Sequence, residues 1–338
     1  MRIPSGSTPT PMLRYAFNRI LVMIPLLIGV SFITFALMNL IPGSPVTGTQ
    51  RNNPDIRPED MERIREQLGL NDPWPQRYVE WLRGVIFELD FGPSFYNRLP
   101  VTDRIWGALP NTLLLTGSAL TLALAVSIPL GIYSAVFYKR SFDRVISILT
   151  VAMYAIPGIW LGLLLIILFS VKSQQWDLWW LPQLPAGGIK NARSGGDLAD
   201  RIEHLILPTV TLATFQIGVW TAYIRSSMLE TLGQDFIRTA RSKGIIERRV
   251  LYGHAFRNSL LTLVTLVGLS IPGLFGGSIL IEAVFSWPGM GLLSLEAVGR
   301  RDYTMVQATT LLFAVLTMTG NLIADLLYGL IDPRVRNQ

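Results

Sequence analysis

Long runs of apolar residues divide the chain at fairly regular intervals. Crossing a bilayer takes about 20 predominantly apolar residues with few charges, and six charge-free runs of that kind are present. They are Ile20 to Ile41, Leu109 to Tyr138, Val145 to Val171, Leu205 to Ile224, Ser259 to Ile281 and Tyr303 to Ala324. The alternative to membrane spans is that the runs form buried helices of a soluble protein, but six uninterrupted runs of this length are not expected in a soluble protein. The pattern predicts an all-α polytopic membrane protein with six transmembrane helices.

The first run follows Arg14 and Arg19, as the apolar part of a signal peptide would. It exceeds the usual length of about 7 to 15 residues for such a part. We therefore expect it to be retained as the first span.

Lysine and arginine residues flank the spans unevenly, and they prefer the cytoplasmic side of a membrane. The N-terminal arm, the loop after the second span and the segment after the fourth are net positive. The segment between the first two spans instead has eight arginines against ten acidic residues. This distribution predicts that both termini are cytoplasmic.

Two segments between spans are long enough to be more than connectors. Residues 1–41 form an N-terminal arm and first span, 42–108 an extracytoplasmic cap segment, and 109–338 a core with five spans and a cytoplasmic loop at 229–257. The cap segment contains a helical pattern from Pro58 to Leu68, followed by aromatic residues suited to a membrane interface. These are Trp74, Tyr78, Trp81 and Trp106.

Composition narrows the chemistry. Only 15% of the residues are charged, and there is no cysteine, which excludes disulfides and thiolate sites. The net charge of +6 is not gathered into one patch, so we expect no nucleic-acid partner but contact with membrane lipids. The two histidines, His204 and His254, fall on opposite sides of the predicted membrane, which argues against a metal site or catalytic triad.

The sequence has no motif that would let the chain power transport by itself. No Walker A loop occurs, and Gly289-x-Gly291 is too short for a dinucleotide fingerprint. Glu282 and Asp325 are the acidic residues that directly follow an apolar run, and acidic residues within spans often couple transport to ions. Both lie near span ends, where snorkelling or pairing at the interface is the simpler expectation. An external energy source is therefore favoured over a self-contained secondary transporter or a membrane enzyme.

The inner segment after the fourth span has the pattern of a capped helix. Ser227 or Thr231 are candidate N-caps, and Gly244 suits the C-terminal cap, with basic residues in the last turn. Leu232, Phe236 and Ala240 are expected on one apolar face. A second helix is predicted from Glu247 to Asn258, leading into the fifth span.

In this segment the sequence Arg238-Thr239-Ala240, with Gly244 four residues on, resembles the cytoplasmic EAA loop of ABC-importer permeases. The form Arg-Thr-Ala-Arg-x-Lys-Gly, with His254 to Asn258 downstream, is similar to the peptide/nickel branch, and specifically to the first permease of oligopeptide and dipeptide importers. Other stretches resemble the same family in the same order. They are Arg19 to Pro25, Phe35 to Val46, Leu68 to Leu70, Asp90 to Ser94, Leu109 to Thr112, Glu282 to Gly291, Arg301 to Tyr303 and Asp325 to Arg334. Ser44 stands where that family often has aspartate.

The resemblance implies a type I ABC-importer permease fold that forms half of a translocation pathway for di- or oligopeptides. It implies four kinds of partner: a second homologous permease subunit, two ATPase subunits or domains, an extracytoplasmic substrate-binding protein, and the lipids of a bacterial or archaeal plasma membrane. The chain itself would be non-catalytic and bind no cofactor, with ATP and Mg held in the partner subunits. Nickel chelates or oligosaccharides are alternative substrates.

The resemblance also assigns two sets of site residues. The residues that would couple to the ATPase are Asp235, Phe236, Arg238, Thr239, Ala240, Arg241, Ser242, Lys243 and Gly244. Those that would contact the binding protein in the last outer loop are Trp287, Pro288, Gly289, Met290 and Gly291.

Overall fold

A computed structural model describes residues 11–40, 58–67, 71–175, 180–191 and 196–331. Their regular secondary structure is helical throughout, apart from an isolated bridge between Pro93 and Pro100. The helices are α1 Pro11–Leu40, α2 Pro58–Gln67, α3 Trp74–Glu88, α4 Val101–Val136, α5 Ser141–Ala155, α6 Gly158–Ile166, α7 Ser173–Gln175, α8 Leu198–Leu232, α9 Asp235–Ser242, α10 Glu247–Arg249, α11 Arg257–Val284, α12 Met290–Gly299 and α13 Tyr303–Ile331. Two π-helical turns, Ile167–Lys172 and Val250–Phe256, join α6 to α7 and α10 to α11.

Five of the described helices are long and apolar enough to cross a membrane alone: α1, α4, α8, α11 and α13. The expected third span, Val145 to Val171, is instead a bent pair. Helices α5 and α6 meet at an angle of 100° at Ile156 and Pro157. Proline has no backbone N–H and disfavours helical geometry in the residue before it, which accounts for the break.

The helix directions show that this bent pair crosses the bundle. Helices α4 and α8 pack in parallel, because Ser118 bonds to Thr209 (3.0 Å) near one end and Gly131 lies against Ile224 towards the other. Because α4 and α8 run in the same direction, the chain between them must cross back, and the bent pair is the apolar segment between them. The described chain therefore has six crossings, as the apolar pattern predicts.

The remaining spans alternate in direction. Helix α11 runs antiparallel to α8, with Ser259 near its start beside Thr231 near the end of α8. Helix α13 is antiparallel to α1, and Arg19 pairs with Asp325 at 2.9 Å. Both ends of the described chain and the α9 loop thus lie at one end of the bundle, called the inner end here. That this end faces the cytoplasm stays a prediction from the charges.

The cap segment differs from its expected bounds. Helix α4 already begins at Val101, so 101–108 extend the second span and do not belong to a separate cap. Tyr78 of α3 is buried and shares a hydrogen bond of 2.9 Å with Ser31 of α1. Trp74 and Trp106 are exposed, as interfacial aromatic residues would be. Helix α3 is thus packed on the outer half of the first span.

One buried ion pair joins the helices beside the inner end. Asp143 in the first turn of α5 accepts hydrogen bonds from Arg225 Nε (2.6 Å) and Nη2 (2.9 Å) of α8. Ser134 Oγ (2.6 Å) and the backbone N–H of Lys139 (2.9 Å) also donate to it. Asp143 is only 3% exposed. It ties together α4, α5 and α8 where the chain enters the inner loop.

Candidate functional site

The inner loop presents helix α9 on the surface of the bundle. Ile237 and Ala240 are buried and belong to the main hydrophobic cluster, together with Val250 and Ala255 of the following π-helical turn. The other residues of the helix are exposed, among them Phe236 at 45%. Two inward side chains therefore fix the helix to the bundle and leave a mixed apolar and basic face outside.

Gly244 ends this helix as the sequence predicts. Its φ angle of +72° is in the left-handed region, where glycine avoids the steric penalty of a side chain. The N–H of Gly244 bonds to Arg241 O (2.9 Å), and that of Ile245 to Ala240 O (3.3 Å). These bonds satisfy carbonyls at the helix end that would otherwise lack partners.

A bidentate ion pair closes the loop. Arg241 donates to Glu247 through Nη2 (2.7 Å) and Nε (3.2 Å), which joins α9 to α10. The hydrogen bond with Arg241 lowers the pKa of Glu247 below its ordinary value. The pair is about half exposed, so its net stabilisation is small, of the order of 0.5 kcal/mol.

Gly244→Ala is expected to strain the loop, because a left-handed conformation costs about 1 to 2 kcal/mol for a residue with a Cβ. No neighbouring atom lies within 4 Å of the added Cβ, so the effect is one of backbone conformation. Gly233→Ala is the matched control, since Gly233 has a φ of −80° and tolerates alanine. Hydrogen exchange of the loop amides should increase in the Gly244 variant only. Equal exchange in both variants would contradict the role given to φ.

A weak dependence of loop order on pH is also expected. Because the pKa of Glu247 is lowered in the folded chain, the stabilisation is present above its unfolded pKa and is lost as pH falls through the folded pKa. The protection of the α9 amides, that is, their hydrogen exchange relative to the intrinsic rate at each pH, should therefore decrease in acid. Glu247→Gln should remove this dependence, and its persistence in that variant would assign the effect to another group.

Two details of the predicted loop were wrong. Ser227 and Thr231 lie inside α8, and the residue before α9 is Gln234, whose side chain makes no capping hydrogen bond. Phe236 does not share the buried face of Ala240, because the inward partner is its neighbour Ile237. The predicted face combined residues across Gly233, where the chain leaves one helix before starting another. The second predicted helix does lead into the fifth span, through the π-helical turn.

At the outer end, the predicted contact loop is organised around Glu282. This carboxylate is fully buried and accepts hydrogen bonds from Thr112 Oγ1 (2.7 Å) and from the N–H groups of Gly291 (2.7 Å) and Leu292 (3.0 Å). It therefore caps the first turn of α12, where a negative charge is favoured. Glu282 is neither snorkelling nor paired at an interface, so that expectation was wrong. Asp325, in contrast, pairs with Arg19 as expected.

The two glycines of this loop are explained by close packing. A Cβ on Gly289 would lie 2.5 Å from the Glu282 carboxylate, and one on Gly291 would lie 2.5 Å from the Cα of Ile279. Trp287 and Met290 are fully buried, and Trp287 Nε1 donates to Asn111 O at 3.0 Å. Four of the five predicted contact residues are thus inaccessible, and only Pro288 is exposed. The loop braces α12 against α4, and its contact with a binding protein stays a prediction for Pro288.

A second outer link joins two of the motifs far apart in sequence. Asp302, which is 2% exposed, accepts a hydrogen bond from Ser94 Oγ and one from the N–H of Phe95 (3.0 Å). It also accepts from the N–H of Met305 (3.3 Å) in the first turn of α13. Sequence reasoning noted both motifs without placing them together, because nothing local indicates a contact across about 200 residues.

Some predicted features fall outside the described residues. They are Ile41 to Pro45 with Ser44, Leu68 to Leu70, and the terminal Asp332, Pro333 and Arg334.

Comparison with known proteins shows which family the chain belongs to. Residues 127–337 match the family model described as "Binding-protein-dependent transport system inner membrane component". The chain belongs to this family. Residues 12–116 match the N-terminal component model of the same kind of transport system. The family resemblance seen in the inner loop is thereby confirmed.

Relatives of this permease family match over nearly the whole chain. The oligopeptide transport system permease protein AppB of Bacillus subtilis (strain 168) is 42% identical, covering 96% of this chain and 99% of that protein. The dipeptide transport system permease protein DppB of Escherichia coli (strain K12) is 38% identical, covering 97% and 100%. The glutathione transport system permease protein GsiC of Salmonella choleraesuis (strain SC-B67) is 36% identical, covering 96% and 99%.

A solved structure supports the fold. A chain of the MetNI methionine ABC transporter in inward-facing conformations superposes with a TM-score of 0.53 at 15% identity, covering 68% of this chain and 96% of that one. At this identity the similarity concerns the fold alone. The chain is therefore a multi-pass membrane protein with the fold of an ABC-importer permease, as predicted.

Proposed function

We propose that this permease forms half of a translocation pathway that imports di- or oligopeptides across a bacterial or archaeal plasma membrane. Its partners would be a second, homologous permease, two ATPase subunits or domains that hold ATP and Mg, and an extracytoplasmic binding protein. Relatives named for oligopeptides and for dipeptides match over 96% or more of the chain, which supports a peptide substrate. The chain itself performs no catalytic step.

The observation that carries the coupling role is the surface of α9. Phe236 and Ile246 expose large apolar side chains at the inner end (45% and 69%), beside the exposed cations Arg238 and Lys243. An apolar centre bordered by charges is the usual composition of a protein interface. The surface is fixed from inside by Ile237 and Ala240, so that a push on it moves the bundle rather than the loop alone.

Transmission would follow the helices that α9 connects. Only two residues separate the end of α8 from the start of α9, and the chain after Gly244 continues through α10 into α11. Closure of the ATPase partners would displace α9, and the displacement would reach both α8 and α11. Rigid-body movement of packed helices of this kind is a general route to alternating access.

The test uses the reconstituted assembly of this chain, its partner permease, its ATPases and its binding protein in liposomes. Phe236→Ala is expected to lower ATP hydrolysis stimulated by loaded binding protein at least tenfold, because truncation of a central aromatic residue commonly costs about 2 kcal/mol or more at an interface. Uptake of labelled dipeptide should fall in parallel.

Phe142→Ala is the matched control, since Phe142 is similarly exposed at 41% near the inner end but lies outside the loop. It should retain coupling. Normal stimulation in the Phe236 variant would overturn the docking role. Peptide uptake by the purified chain without any ATPase would instead identify a self-contained transporter.

A further inference from the structure

The break between α5 and α6 leaves backbone groups without partners at mid-depth in the membrane. Within the described chain, the N–H groups of Gly158, Ile159 and Trp160 donate to no carbonyl or side chain, and the carbonyls of Tyr154 and Ala155 accept from none. The break lies beside the middle of α8, where Gly218 packs against Thr150 and Tyr154. Irregular backbone at this depth is tolerated only where it is buried in protein or lines a water-filled cavity.

A cavity of about 400 Å³ is present at this place. The broken span forms one wall through Ile156, Pro157 and Gly158, and α8 and α11 form the others through residues such as Leu212 and Gly277. None of the described residues that line it is charged. The space is large enough for several heavy atoms of a ligand, and its walls are mainly apolar.

Two polar side chains of α8 line this cavity, Thr211 and Gln216, and the Thr211 hydroxyl already donates to Leu207 O (2.7 Å). Gln216 lines the cavity and is only 7% exposed, and its amide makes no hydrogen bond within the described protein. Its side-chain nitrogen and oxygen are not sealed from solvent, unlike those of fully enclosed polar groups such as Gln307 Nε2. A buried amide without a protein partner needs one from elsewhere, because leaving it unpaired is costly. Gln216 therefore lines the same cavity as Tyr154, Ala155, Gly158 and Ile159, four of the residues with unpaired backbone groups at the break.

We propose that this cavity binds the main-chain amide groups of a peptide in transit. This inference rests on the proposed function of peptide import. The start of α6 offers N–H donors to a peptide carbonyl, the end of α5 offers carbonyls to a peptide N–H, and the Gln216 amide can do either. Because no lining side chain is charged, the site has no strong preference for either peptide terminus. It binds what all peptides share and accepts different side chains against the apolar walls.

The first test measures import by the reconstituted assembly at saturating loaded binding protein, using peptides of two and five alanine residues. Gln216→Met removes the amide at nearly constant size, and the rate is expected to fall about tenfold for both peptides. Gln307→Met, a buried glutamine of α13 outside the cavity, is the matched control and should import at the original rate. A loss for one of the two alanine peptides but not for the other would overturn main-chain recognition, because both peptides offer the same kind of amide groups.

The second test does not alter Gln216. The chain has no cysteine, so Leu280→Cys introduces its one thiol on the cavity wall, and Leu269→Cys introduces one elsewhere on α11. With partner subunits freed of cysteine, turnover with alanine peptide should slow labelling of the thiol at position 280 by a small polar maleimide at least threefold. Labelling at position 269 should not change. This measurement still decides the matter if the Gln216 variant fails to assemble.

The outcomes separate the two proposals. If the unmodified assembly imports no peptide, the proposed function fails. If it imports peptide but Gln216→Met imports as fast, and the thiol at position 280 is equally reactive with and without peptide, the cavity holds only water and this inference fails alone.

Discussion

Asp143→Asn is expected to lower the free energy of unfolding by about 2 to 3 kcal/mol, the largest loss for any single charge at the inner end. The change keeps the size of the side chain but places an amide NH₂ among five donors, two of them from Arg225. The guanidinium is then left without its counter-ion while its side chain stays only 26% exposed. Unfolding in mixed micelles with increasing denaturing detergent measures the loss.

Asp325→Asn provides the matched control. It removes the same charge from another ion pair, in which the side chain of Arg19 is 50% exposed and that of Asp325 is 33% exposed. Water replaces a partner there, so the expected loss is below about 1 kcal/mol. Equal losses in the two variants would show that burial of Asp143 has no energetic consequence.

A double variant tests the cause. Replacing both Asp143 and Arg225 with leucine removes the unpaired charge, and it should be less destabilised than Asp143→Asn alone. A double variant that is much worse than the single one would mean that the charges stabilise the bundle beyond satisfying one another.

Glu282→Ala is expected to have a comparable effect at the outer end, about 3 to 4 kcal/mol. It removes the acceptor of three hydrogen bonds and leaves the first amides of α12 and the hydroxyl of Thr112 buried without it. It also leaves a space beside Gly289 and Gly291, which approach the carboxylate closely. Thermal unfolding of the assembled complex measures the loss. Glu296→Ala, on the partly exposed surface of α12, should change it by less than about 0.5 kcal/mol.

Glu282→Gln separates a structural role from an ion-coupling role. The glutamine can keep its oxygen towards the amides of Gly291 and Leu292 and its nitrogen towards Thr112, so we expect a loss of about 1 kcal/mol and continued ATP-driven import. Abolished import in a well-folded Glu282→Gln assembly would revive a proton- or ion-coupled mechanism.

The apolar pattern was sufficient to predict six spans because length and lack of charge are properties of single segments. It missed the 100° bend, although Pro157 was visible, because a proline inside a span can either kink a helix or end it. Parallel packing of α4 and α8, which makes the bent pair a crossing, depends on contacts between distant segments.

The inner loop was predicted in outline, since Gly244 at a helix end is a local signal. The orientation of α9 could not be predicted, because Phe236 and Ile237 are adjacent apolar residues and only packing decides which of them points inward. The roles of Asp143, Glu282 and Asp302 were beyond reach for the same reason. Their partners are on other helices. The local sequence around an acidic residue near the end of a span does not indicate whether its carboxylate contacts water, a cation or a helix N-terminus.

From Glu247 to Val284 the backbone stays helical through α10, the π-helical turn and α11, a run of 38 residues. At the usual rise this run is about 55 Å long, enough to extend through the membrane and beyond it. If the proposed coupling moved this run as a rigid rod, a tilt of about 5° at its inner end would displace its outer end by about 5 Å. That outer end carries Glu282, and with it the capped start of α12. In the proposed mechanism, a small push at the inner loop would thus become a displacement of about a helical turn at the opposite face.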